Sequence, residues 1–229
     1  DFKDYCPNGL QVEGAEEVRT VISGVTASRA LVDAAIEADA DMILVHHGYF
    51  WKGEDQAIRG MKRDRIKRLL DHDINLVAYH LPLDDHPEYG NNRQLADVLG
   101  ILNPRPLGGL VWQGELGVPM GPQAFADLIG ERLDRAPLWV GDGSAEIARV
   151  GWCTGAAQGF IDSALNAGLD AYISGEISEP TTHTARECGI HYYAAGHHAT
   201  ERYGVQALGR AVEQTFGVSH RFIDCDNPV

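Results

Sequence analysis

Two stretches of this chain repeat one another. When "LVDAAIEADADMILVHH" (31–47) is set beside "FIDSALNAGLDAYISGE" (160–176), Asp33 meets Asp162, Ala38 meets Ala167 and Asp41 meets Asp170, all at an offset of 129. Each stretch reads as a helix, a tight turn, an Asp and then an apolar run of one strand's length. Later, "INLVAYH" (74–80) resembles "IHYYAAGHH" (190–198). A repeated helix–strand unit restricts the fold to related halves, because each copy must bury its strand against its own helix.

The segments around the repeat fit the same scheme. "TVISGV" (20–25) and "DMILVHH" (41–47) are apolar enough for buried strands, and "SRALVDAAIEAD" (28–39) puts Leu31, Ala34, Ala35 and Ala38 on one helical face. "RIKRLLDHD" reads as a helix, "INLVAYH" as a strand and "NNRQLADVLG" as a helix closed by Gly100, with Asn92 as its cap. In the second half, "GPQAFADLIGERLD" is a helix opened by Pro122, and "ARVGWCTG" is a strand. Strand and helix in turn at these lengths predict an α/β layer structure with mostly parallel sheets. The Pro- and Gly-rich "NPRPLGGL" (103–110) is the natural boundary, dividing the chain into halves 1–104 and 105–229, with the last helices free to pack back on the first half.

Charge and cysteine usage narrow the function classes. Nineteen Lys and Arg stand against 33 Asp and Glu, a formal charge of -14, which disfavours nucleic acid as a partner. The basic run "IRGMKRDRIKR" (58–68) reads as the solvated face of a helix. The four Cys, at 6, 153, 188 and 225, form no C-x-x-C pair and point to reduced thiols in the cytoplasm. No stretch approaches the apolar length of a membrane span. No signal peptide is visible, and the chain begins at Asp1 rather than Met.

The chemistry lies where the strands end. In open α/β sheets, ligands bind beyond the carboxyl ends of the strands. Those ends carry His46-His47, His80 through Asp85, Gly175-Glu176 and His197-His198. Adjacent His residues on extended chain face opposite ways, which suits two metal ions better than one. His197 and Glu201, one helical turn apart, can chelate together. Any one such His is more often a hydrogen-bonded structural residue; the constellation carries the argument. Ser23, Ser174 and Cys188 lie in no G-x-S-x-G turn, and "SGVTASR" lacks the glycine spacing and Lys of a phosphate loop.

Five segments also carry a family likeness: "DYCPNGLQVEG" (4–14), "VHHGYFWKGE" (45–54), "YHLPLDDHPEYGNN" (79–92), "ISGEISEP" (173–180) and "GHHATERYG" (196–204). Together they span almost the whole chain, and they resemble the motifs of the GTP cyclohydrolase I type 2 homologue family, also called Nif-three-like. The resemblance implies two similar, interlinked α/β domains, a toroidal homohexamer and two divalent transition-metal ions per chain. Its ligands fall on His46, His47, Asp84, His197 and Glu201, the set that the strand ends also offer. Three imidazoles and two carboxylates suit Zn, Mn, Fe, Co or Ni. His80 and Glu176 are the candidate catalytic groups, moving protons or orienting ligands. The implied activity is metal-dependent hydrolysis of a nucleotide or related small molecule, by ring opening or phosphoester cleavage. A non-catalytic metal-binding adaptor or chaperone is the alternative. Two departures stand out: Asp85 occupies a place where relatives often have a small residue, and the helix usual in the family ahead of "DYCPNG" is missing from the sequence given.

Overall fold

The computed structural model describes residues 2–141 and 145–229. In chain order the elements are β1 (Gly9–Val12), β2 (Thr20–Thr26), α1 (Arg29–Glu37), β3 (Met42–His47), α2 (Gly60–Asp71), β4 (Asn75–Ala78), α3 (Leu81–Asp84), α4 (Asn91–Leu99), β5 (Leu102–Gly108), β6 (Val111–Met120), α5 (Pro122–Leu133), β7 (Leu138–Val140), β8 (Ile147–Trp152), α6 (Ile161–Asn166), β9 (Ala171–Ser174), α7 (Glu179–Cys188), β10 (His191–Ala194), α8 (His197–Phe216) and β11 (Ser219–Phe222). They form two units. Asp1–Leu83 and Arg202–Asp226 make the first; Asp84–Glu201 and Asn227–Val229 make the second.

The first unit has one sheet in the order β1-β4-β3-β2-β11. All its pairings are parallel except that of β1 with β4. Apolar β-branched runs make β2 and β3 its centre, where Ile22, Ile43, Val45 and Leu76 pack on Leu31, Val32 and Ala35 of α1 and Leu69 of α2. Each large aliphatic side chain buried there contributes about 1.5–3 kcal/mol. Ser28 starts α1, its Oγ accepting from Leu31 N at 3.2 Å. The basic run 58–68 lies largely on α2 and is paired with acids: Arg68 with Asp33 at 2.8 Å, Lys62 with Glu54 at 3.0 Å. It is a charge-compensated surface rather than a patch for an anion.

The second unit's sheet runs β5-β6-β8-β9-β10-β7. Only β8-β9 and β9-β10 are parallel, so the expectation of mostly parallel sheets fits the first unit, while the second sheet is mixed. The reason is the β5–β6 hairpin, which joins β8 antiparallel. The segment 103–110, expected as a linker, is largely strand β5. Pro104 and Pro106 fit there because an edge strand can spare ladder donors. The core is aromatic. Tyr172, Tyr192 and Tyr193 are fully buried, and their hydroxyls donate to the backbone oxygens of Ala157, Glu176 and Pro122. Burial pushes all three phenols up, so they stay neutral donors.

Asn92 is no helix cap. Gly90 holds the cap position of α4, and Asn92 is fully buried inside the helix. Its side chain donates to Leu110 O at 3.1 Å and accepts from Thr154 N at 3.0 Å. No described helix is long and apolar enough to cross a membrane. All four cysteines are free thiols.

Candidate functional site

In the first unit the ends of β3 and β4 lie side by side, Val45 pairing Ala78 in parallel register. That register places His46 and His47 next to Tyr79 and His80. The ring centroid of His46 lies 4.6 Å from that of His47 and 5.0 Å from that of His80. One donor atom from each of the three His lies within 4.8 Å of the others. His46 is fully buried, and its Nδ1 is 2.9 Å from Tyr79 O. A carbonyl only accepts, so Nδ1 carries the proton and Nε2 the lone pair. His47 Nδ1 contacts Thr26 Oγ1 at 3.2 Å. Adjacent residues thus anchor to opposite neighbours, as extended chain requires.

His80 is held by Asp4, Nδ1 to Oδ1 at 2.6 Å, with side chains only 13% and 5% exposed. Asp4 also accepts from Tyr5 N at 2.6 Å, Asn8 Nδ2 at 2.8 Å and Leu81 N at 3.0 Å. Burial alone would raise the Asp4 carboxyl, but the hydrogen bonds from Asn8, His80 and Tyr5 outweigh it and hold it below the usual carboxylate range. Cys6 is buried beside this pair, where burial and the Asp4 charge push its thiol up to about 11. Trp51 stands edge-on to His80, ring centroids 5.0 Å apart.

In the second unit His197 opens α8, and its partners lie on either side. Its Nδ1 is 2.7 Å from Glu176 Oε1, and its Nε2 is 3.2 Å from Glu201 Oε2. Burial pulls the imidazole down, but hydrogen bonds and charge from Glu201 and Glu176 outweigh it and push it up to about 9. Glu201 and Asp84 are buried, at 3% and 6% exposure. Asp84 Oδ1 accepts from Asn91 Nδ2 at 2.9 Å and Thr154 Oγ1 at 3.2 Å. Gly155, at φ +69, lets the backbone lie close against this pair: a Cβ there would run into Glu201 Oε1 and stand 3.2 Å from His197 Nε2. Asp85 accepts from Trp112 Nε1 at 3.0 Å, which gives the unusual carboxylate of "LDDHP" a partner inside its own unit.

The structure thus brings His46, His47 and His80 together in the first unit, and Glu176, His197 and Glu201 in the second, with Asp84 held by Asn91 of α4 and by Thr154, two residues beyond β8. The sequence reading missed the groups that hold these residues: Asp4, Asn91 and Thr154. Asp4 and Asn91 stood inside quoted motifs, but their roles follow from contacts that spacing does not encode.

A family model described as Duf34/NIF3 (NGG1p interacting factor 3) matches residues 1–228. A Pseudomonas aeruginosa protein named GTP cyclohydrolase 1 type 2 homolog is 59% identical, covering 99% of this chain and 92% of its own length. The protein of the same name from Escherichia coli K12 is 56% identical, with coverage of 99% and 92%. Among solved structures, protein ybgI, of unknown function, matches with a TM-score of 0.97 at 54% identity, covering 100% of this chain and 93% of that one. A protein from Thermus thermophilus matches with a TM-score of 0.91 at 34% identity, covering 99% and 92%. A model that takes in nearly every residue, and relatives at such identity over nearly their full lengths, make this chain a member of the Duf34/NIF3 family.

Proposed function

We propose that this chain is a metal-dependent hydrolase of a nucleotide or related small molecule, with two divalent transition-metal ions held by His46, His47, Asp84, His197 and Glu201. The observation that carries the reading is the His197–Glu201 pair. Its donor atoms are 3.2 Å apart. Two ligands about 2.0–2.1 Å from one tetrahedral ion stand roughly 3.3 Å from each other, so the separation of these two donor atoms is that of two ligands of one ion. Buried carboxylates such as Asp84 and Glu201 are costly without a cation. The donor set of nitrogen and oxygen suits Zn, Mn, Fe, Co or Ni. The relatives named GTP cyclohydrolase 1 type 2 homolog support a nucleotide substrate.

Such ions, when bound, supply Lewis acidity that makes water nucleophilic near neutral pH and stabilises an oxyanion. The chain's own groups do the rest. Asp4 accepts the His80 Nδ1 proton, so Nε2 of His80 is the atom that passes a proton to or from the substrate. Glu176 acts through His197, fixing its ring by Nδ1. The toroidal homohexamer implied by the family likeness belongs to the same proposal, and light scattering that reports a monomer at micromolar concentration refutes that part.

The test is purified chain loaded with each metal and assayed on a nucleotide panel. Turnover is expected, abolished by Asp84→Ala. His80→Asn is expected to keep both metals and lose most turnover, and His197→Ala to lose metal by elemental analysis. Tight metal binding without turnover on any nucleotide overturns the hydrolase and leaves a metal-binding adaptor or chaperone.

A further inference from the structure

The loop that follows β3 reads "GYFWKGE" (48–54), and its three aromatic residues go different ways. Tyr49 is buried, its hydroxyl donating to Ala27 O at 2.9 Å. Phe50 packs against the core of the first unit, with Lys62 Nζ 5.0 Å from its ring centroid. Trp51 stays half-buried and lies against the imidazoles instead, its ring centroid 5.0 Å from that of His80 and 5.9 Å from that of His47. We propose that the Trp51 indole is the platform on which the base of the nucleotide stacks, so that Trp51 selects ligands carrying an aromatic base. This rests on the nucleotide reading above and adds the residue that recognises the base.

The loop holds the indole in place before any ligand arrives. Trp51 Nε1 donates to Gly48 O at 3.1 Å, Lys52 N to Tyr5 O at 2.6 Å, and Glu54 N to Trp51 O at 3.0 Å. Glu54 also pairs with Lys62 at 3.0 Å. Turning the chain this way sets Phe50 at φ +65, a left-handed conformation that strains a bulky residue. A strained turn that leaves the largest side chain of the loop half in water serves a ligand rather than the core.

An indole is rigid and turns about only two side-chain bonds, so little freedom is lost when a planar ring settles on it. Every base has a π-face, and stacking depends little on which base it is. The one N–H of the indole is already given to Gly48 O, so the ring keeps no donor with which to read a base edge. Trp51 therefore separates nucleotides from sugar phosphates without telling one base from another. It also keeps the base beside His80 and moves no proton itself.

The metal-loaded full chain is titrated by calorimetry with guanosine monophosphate and with ribose phosphate, which differ by the base. Wild type should favour the nucleotide. The ratio of the two affinities should fall roughly tenfold to a hundredfold in Trp51→Leu and recover in Trp51→Phe, which restores an aromatic face. Elemental analysis should find the metal content unchanged in both; Trp51→Met serves if Trp51→Leu unfolds. An unchanged ratio in Trp51→Leu overturns the platform and leaves the nucleotide reading standing. An equal loss of both ligands, or loss of metal, also overturns it and makes the indole a support for His80. Wild type that binds the two ligands alike, or binds neither, overturns the platform together with the nucleotide reading. A lowered ratio without turnover on any nucleotide supports the platform and overturns the hydrolase alone.

Discussion

The stretch β1-β2-α1-β3-α2-β4 of the first unit and the stretch β7-β8-α6-β9-α7-β10 of the second follow one plan, down to register. Val21 pairs Met42 where Val150 pairs Ala171, and Gly9 pairs Ala78 where Leu138 pairs Ala194. Asp41 Oδ2 accepts from Arg19 N and Thr20 N, both at 2.8 Å; Asp170 Oδ2 accepts from Ala148 N at 3.0 Å and Arg149 N at 2.7 Å. The copies part company at the strand end. Where the first has His46-His47, the second has Gly175-Glu176. A Cβ on Gly175 would lie 2.6 Å from His197 Cα and 2.7 Å from Gly155 O. One copy therefore projects imidazoles from its strand directly. The other strips its strand end bare so that the first turn of α8 can come in close, and supplies its imidazole from there.

The largest effect should follow from undoing that difference. Gly175→Ala forces backbone apart and is expected to cost about 3 kcal/mol, as overpacking against rigid neighbours does, with loss of metal at His197. Urea unfolding and elemental analysis check both; a stable, metal-replete variant would break the account of the second strand end. Next come Asp41→Ala and Asp170→Ala. Each strips an ionised acceptor from two backbone donors, so each should lose about 2–3 kcal/mol. Denaturation midpoints that move for only one of the two would show that the shared register does not mean a shared role.

The smallest effect concerns β11, which lies parallel beside β2 where the second sheet has the antiparallel β6 beside β8. His220 on β11 contacts Ser23 Oγ at 2.7 Å. Burial lowers its pKa below the ordinary 6.5, with a secondary lowering from Arg210 and a raising from Glu213. The fold accommodates the neutral ring, so its stabilising contribution is whole above 6.5 and falls away as pH drops through the lower folded value. Thermal melts across that range should show an acid loss that His220→Gln lacks; identical pH profiles would remove His220 from the account.

How much was legible follows from burial. The central strands β2, β3 and β9 are buried on both faces and read as continuous apolar runs, so their places and their chemistry-bearing ends could be seen. The edges could not. β1 is the four residues "GLQV", β11 the half-exposed "SHRF", and β5 carries two Pro, so none shows alternation. At the site, His197 and Glu201 were legible because a helix fixes their spacing. Asp4 with His80 and Thr154 with Asp84 are 76 and 70 residues apart, and only the fold pairs them.

The first unit is assembled from two separated pieces of chain, because β11 completes the sheet beside β2. The ribosome makes those pieces in order. At about 5–20 residues per second, the free edge of β2 waits on the order of 10–40 s for β11 to be synthesised. An open strand edge invites pairing with other chains. The second unit is nearly contiguous and can close first. The half bearing His46 and His47 is therefore the one exposed to misassembly while the chain is still being made, and the one for which translation speed and chaperone supply should matter.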